Sequence, residues 1–133
     1  MNDESNLVLV VTIVKKGWGD KVVKASRKAG AKGGTIFFGR GTGVHENKSL
    51  LGMLIEPEKE MVLTLAESEN ADAIVDFIRE EVRLEKPGRG LGFVIPVNQV
   101  FGTAHIICDQ DNSCKLHILE EEEGAEEKEE EKV

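Results

Sequence analysis

Leu7-Val8-Leu9-Val10-Val11-Thr12-Ile13-Val14 is apolar at every position except Thr12 and dense in β-branched residues. Successive side chains of a strand point to opposite faces. A run without polar alternation therefore marks a strand covered on both faces or central in a sheet. Lys15-Lys16-Gly17 ends it. Asp20 then offers an N-cap for a helix reaching about residue 29. Val22, Val23, Ala25 and Ala29 form its apolar face, with Ser26 at the edge and Lys21, Lys24, Arg27 and Lys28 outside. Gly30 suits the C′ position.

Further along, Thr35-Ile36-Phe37-Phe38 reads as a second strand running into Gly39-Arg40-Gly41-Thr42-Gly43. The connection 44–60 contains Pro57 and few regular signals. Its apolar Leu50, Leu51, Met53 and Leu54 suit partner contact, a cap on an oligomer or a plain hairpin. Met61-Val62-Leu63-Thr64-Leu65-Ala66 reads as a third strand. Ser68 or Asn70 caps a second helix over 71–84, where Ile74, Val75, Phe77, Ile78 and Val82 keep helical spacing. Pro87-Gly88-Arg89-Gly90 is a turn, and Gly92-Phe93-Val94-Ile95-Pro96-Val97 a fourth strand whose proline suits an edge or an end. Residues 100–108 add a short fifth strand. The order implies an α+β fold: ferredoxin-like βαββαβ, an antiparallel sheet with both helices on one face. The second face is left bare, so oligomerisation is expected.

Residues 120–133 hold nine Glu and two Lys, which is −7 of the chain's net −8. Such a segment cannot bury enough apolar surface to offset its ordering entropy, so 119–133 is expected to be a disordered acidic tail and 1–118 a single domain. The near-neutral domain lacks the basic surplus of a nucleic-acid binder. No run approaches the ~20 apolar residues of a membrane helix. The N-terminus lacks a signal peptide's basic start, so a cytoplasmic protein without membrane insertion is expected, its two cysteines held as thiols.

Eight of the 14 glycines fall in two groups. Gly33, Gly34, Gly39, Gly41 and Gly43 flank the second strand, and Gly88, Gly90 and Gly92 open the fourth. Glycine lets backbone N–H groups approach an anion closely, and guanidinium groups such as Arg40 and Arg89 pair well with phosphate. Two such turns suggest a phosphate-bearing ligand held between them. Neither turn has the Gly-Lys-Ser/Thr ending of a P-loop or the dinucleotide GxGxxG. Spacing alone leaves tight turns and an anion cradle equally open.

The run Lys24-Ala25-Ser26-Arg27-Lys28-Ala29-Gly30-Ala31-Lys32-Gly33-Gly34-Thr35-Ile36 resembles the first helix and second strand of the nitrogen-regulatory P-II family. So do Gly41-Thr42-Gly43 at the root of a long loop and Glu85-Lys86-Pro87-Gly88-Arg89-Gly90 before a strand with Pro96-Val97. The resemblance covers about residues 7–106. It implies a homotrimer of ferredoxin-like subunits that senses adenine nucleotides, often with 2-oxoglutarate, in clefts between subunits. A protruding loop then regulates a transporter or enzyme. By the resemblance Thr35, Gly41, Gly43, Gly88 and Gly90 become the implied nucleotide-binding residues, and the glycine-turn reading adds Gly39, Arg40, Thr42 and Arg89. His45, Glu46, Asn47, Lys48 and Ser49 become the implied partner loop. ATP, ADP or AMP is the implied ligand, with no covalent cofactor.

The chain departs from that pattern. Leu91 stands where the family has a phosphate-binding lysine, Gly102 and Ala104 where it has two arginines, and Val44-His45 where it often has Arg-Gln. The loop has no tyrosine to uridylylate. Each lost charge-assisted contact is worth about 1.5–3 kcal/mol, so a ligand with fewer phosphates or another small anion is equally consistent. Cys108 and Cys114 close a polar hairpin turn, and the resemblance adds a reversible disulfide, since some P-II-like proteins carry a redox pair near the C-terminus.

His45, His105, His117 and the two cysteines lack zinc-site spacing. Asp109 and Asp111 lack the glycine and closing glutamate of a calcium loop. No acid–base pair forms around His45, Glu46 and Ser49, so no metal and no enzyme activity are expected. The reading is a P-II-like regulator, with a small trimeric ferredoxin-like metal-binding or structural protein as the alternative.

Overall fold

The computed structural model describes residues 5–42, 48–51, 53–55, 57–102, 106–108 and 114–116. The order is β1 (Leu7–Lys15), α1 (Gly19–Lys28), β2 (Thr35–Arg40), β3 (Lys48–Leu50), β4 (Met53–Ile55), β5 (Glu58–Glu67), α2 (Ala71–Val82), β6 (Gly90–Val97), β7 (Ile106–Cys108) and β8 (Cys114–Leu116). Four strands form one antiparallel sheet in the order β2-β5-β1-β6. Each βαβ unit is split by a strand of the other, as the ferredoxin-like expectation requires. β1 is interior and buried on both faces at Leu7, Val10, Val11, Thr12 and Val14. β6 is an edge strand, where Pro96 removes no ladder donor the sheet needs.

Alternation sends Val10, Val14, Val62 and Ala66 toward the helices, where Val22, Ala25, Ile74, Ile78 and Val82 meet them in the core. The opposite face pairs Ile13 with Met61 and Leu91, Val11 with Leu63 and Phe93, and Leu9 with Leu65 and Ile95. Met61, Leu91, Phe93 and Ile95 there stay exposed, as does Phe37 beside Met61. A contiguous apolar face of this kind fits a protein surface better than water.

Asp20 does not cap α1. The cap position is Trp18, which has no side-chain cap bond. The donors are met from β5 instead: Gly17 N–H donates to Glu60 Oε1 at 2.8 Å and Gly19 N–H to Oε2 at 2.6 Å. A Cβ on Gly19 would fall on that carboxylate and on Ile36. The 44–60 connection accordingly ends at Pro57, because Glu58, Lys59 and Glu60 belong to β5. Of the two caps expected for α2, Asn70 holds the cap position but makes no side-chain cap bond, while the Ser68 hydroxyl donates to the Asn6 carbonyl at 2.7 Å in a 3-10 turn that leads into α2. Arg83, left-handed at φ 51°, stops α2 two residues before Leu84. Gly30 takes a positive φ of 108° after α1, as its C′ position demands. Of the fifth strand expected within 100–108, Ile106–Cys108 is strand, as β7, and pairs with β8; described residues 100–102 are not strand. The expected acidic tail lies outside the described residues. No described helix is long and apolar enough to cross a membrane.

Candidate functional site

Four strand ends meet at one end of the sheet. Arg40 pairs with Glu58, Lys15 with Lys59 and Val14 with Gly90. The second strand runs past the expected Phe38 to Arg40, so Gly39 and Arg40 are β2 residues and the chain leaves the sheet at Gly41; this segment and the 88–90 turn sit at the same end, but on opposite edges. Three interstrand steps, about 14 Å, separate β2 from β6. Among the described residues, no cradle closes between them on one chain. Thr35 lies at the other end of β2, about 17 Å of strand from Arg40. It lines an apolar pocket of about 540 Å³ with Lys32, Gly33, Gly34, Leu65 and Phe101. The implied binding residues thus form three patches on one chain.

The two turns differ in why they contain glycine. Gly88 and Gly90 have φ of 77° and 147°, which L side chains rarely adopt. A Cβ on Gly90 would also strike the Ile13 carbonyl and crowd Leu84 and Val14. The fold itself requires those glycines. Gly39 and Gly41 have no positive φ. A Cβ would meet nothing within 4 Å at Gly39, and only Lys59 Cγ at 3.9 Å at Gly41. Nothing described in this chain excludes a side chain there. Gly41 N–H donates to the Pro57 carbonyl at 3.2 Å, which closes the base of the loop. Arg40 and Thr42 are exposed beside it.

Arg89 is directed elsewhere. Its guanidinium lies 4.9 Å from the centroid of the Trp18 ring, where Lys15 Nζ at 4.0 Å and Lys21 Nζ at 5.0 Å also approach. Trp18 is thus both the packing anchor of the β1–α1 corner and the centre of a cation cluster. Beside it Lys16 pairs with Glu58 at 2.7 Å. That pairing raises the Lys16 pKa and lowers that of Glu58, each through its hydrogen bond to the other.

Gly43, His45, Glu46 and Asn47 lie outside the described residues, and Lys48 and Ser49 are described by backbone alone, in β3. β3 and β4 form a hairpin whose turn residue Leu51 has φ 54° and is 92% exposed. None of the described residues covers this left-handed leucine. Cys108 and Cys114 are direct cross-strand partners in β7–β8. Among the described residues no three His, Cys, Asp or Glu side chains converge as metal ligands. Sequence reasoning missed Glu60 and the Trp18 cluster. Glu60 lies 41 residues from Gly19 and has no local signal; at Trp18 the lysines three residues to either side were a local signal, and only Arg89 is distant.

The family model for nitrogen regulatory protein P-II matches residues 7–103. A crystal structure of the PII protein of Arabidopsis thaliana bound to citrate is similar in fold, with a TM-score of 0.55 and 25% identity over 70% of this chain and 78% of that one. Comparison with curated protein sequences gives no match.

Proposed function

The chain belongs to the nitrogen regulatory protein P-II family, and on that premise we propose that it is a signal-transduction regulator rather than an enzyme. It binds an adenine nucleotide or another small anion between subunits of a homotrimer. The loop running from the 39–43 turn to Pro57 passes that occupancy to a partner enzyme or transporter. The observation carrying this reading is the open ground at Gly39 and Gly41, where no described residue stands in the way of a ligand's approach. The separation of the glycine turns onto opposite sheet edges supports a ligand shared by two copies, as does the exposed apolar face that a second copy covers. The citrate on the plant relative supports a small polyanion as ligand. The exposed Leu51 supports partner contact at the hairpin.

Calorimetric titration with ATP, ADP, AMP and citrate tests the ligand. Heat with a nucleotide supports the full reading, and heat with citrate alone narrows it to small anions. No heat and no thermal shift with any of them sinks it. A gel-filtration mass of a monomer would contradict the trimer.

The register of Cys108 opposite Cys114 also supports the redox pair, since directly opposed strand positions lie within the Cα span of a disulfide. The two thiols would give two electrons and two protons to a disulfide oxidant such as oxidised glutathione. Thiol counting after that treatment is expected to find none free, and two remaining thiols would refute the pair.

A further inference from the structure

The domain's near-neutral charge conceals two opposite patches. Between Lys15 and Lys32 stand seven basic residues, Lys15, Lys16, Lys21, Lys24, Arg27, Lys28 and Lys32, against one acid, Asp20. Between Glu67 and Glu81 stand six acids against Arg79 alone. The seven basic side chains are exposed on α1 and its flanks. Lys16 is paired with Glu58, but among the described residues none of the other six lies within ion-pair distance of a carboxylate. At the N-terminal end of this stripe, Lys15, Lys21 and Arg89 crowd the half-buried Trp18 ring. Each is drawn to the indole face, yet the three repel one another, so an anion arriving among them relieves that repulsion. The α1 N-terminus contributes nothing to this, because Glu60 already fills it.

We propose that the acidic segment 120–133 of this same chain docks on the α1 stripe and the Trp18 corner, as an electrostatic cover that an outside anion must displace. Its −7 complements the stripe's surplus. Fourteen residues span at most about 48 Å extended, against a radius of gyration of about 13 Å for a domain of this size, so the stripe is within reach. Tethering holds the segment at about millimolar effective concentration, above that of most free acidic competitors. Because Arg89 belongs to both the Trp18 corner and the 88–90 turn, the cover also occupies a cation of that turn. This inference stands on charge and geometry and does not need the nucleotide reading.

The chain has one Trp and no Tyr, so its intrinsic fluorescence reports Trp18 alone. The 133-residue protein is compared with a variant in which the nine Glu of the segment are Gln. Raising salt from about 0.01 to about 1 M cuts the Debye length from about 30 to about 3 Å. Wild-type emission is expected to move across that range, and the variant to stay flat at the wild type's high-salt value. A synthetic peptide of residues 120–133, added at low salt, is expected to bind the variant at least about tenfold more tightly than the wild type, whose own segment competes. Equal or weaker binding by the variant, no response in either protein, or identical salt curves would overturn the proposal. A salt response that depends on protein concentration would overturn the cis assignment in favour of a second copy.

Discussion

The 88–90 turn and the 39–43 turn each place glycines around one arginine, yet they are glycine-rich for different reasons. At Gly90 the backbone takes φ 147° and the Ile13 carbonyl fills the space a side chain would need. The tight entry of β6 beside β1 accounts for that residue completely. At Gly39 the backbone is ordinary and the space is open. No described residue requires glycine there, so a side chain at that position tests the proposed ligand contact without disturbing the fold. The arginines divide the same way: Arg89 packs over Trp18, while Arg40 stands exposed at the root of the loop. The comparison puts a steric demand for glycine on the β6 edge and none on the β2 edge, which is where the proposed ligand wall lies.

The sharpest way to break it is Gly90→Ala. Left-handed strain and the clash at Ile13 together cost about 3 kcal/mol. At about 4–8 °C per kcal/mol, thermal unfolding should fall by at least about 10 °C, and an unchanged midpoint would remove the contrast. Glu60→Ala comes next. It strips the carboxylate from two buried-end N–H donors and should cost about 2 kcal/mol by denaturant unfolding. Gly39→Ala and Gly41→Ala should each stay within about 0.5 kcal/mol of wild type, as open surface sites do. Their effect belongs to ligand affinity, expected to fall about tenfold for a lost contact worth about 1.4 kcal/mol.

The smallest effect is the Lys16–Glu58 pair between the turns. The lowered Glu58 pKa contributes stability above its ordinary 4.5, lost as pH falls through the folded value. The raised Lys16 pKa contributes below 10.5, lost as pH rises through the higher folded value. Glu58→Gln should therefore differ slightly from wild type in thermal unfolding between those limits, the difference fading as pH passes the folded values beyond them.

Local chemistry made much of this fold legible. The apolar run at 7–14, interrupted only by Thr12, marked an interior strand, Pro96 an edge or strand end and Gly30 a helix end, because each signal acts within a few residues. The cap on α1 was not legible, since its acceptor, Glu60, lies 41 residues beyond Gly19. Nor was the distance between the glycine turns, which depends on β5 and β1 inserting between β2 and β6. Glycine count alone merged two turns that only φ and neighbouring atoms tell apart. Net charge likewise averaged away the basic α1 and acidic α2 surfaces.

The most direct test titrates ATP, ADP and AMP calorimetrically into the wild-type chain and into Gly39→Ala/Gly41→Ala, with thermal unfolding of both measured alongside. Heat from the wild type, affinity at least about tenfold weaker in the double variant and closely matched unfolding midpoints are the predicted result. Equal affinities, or a double variant that binds poorly only because it is unfolded, would contradict the assignment of the 39–43 turn as the ligand's wall.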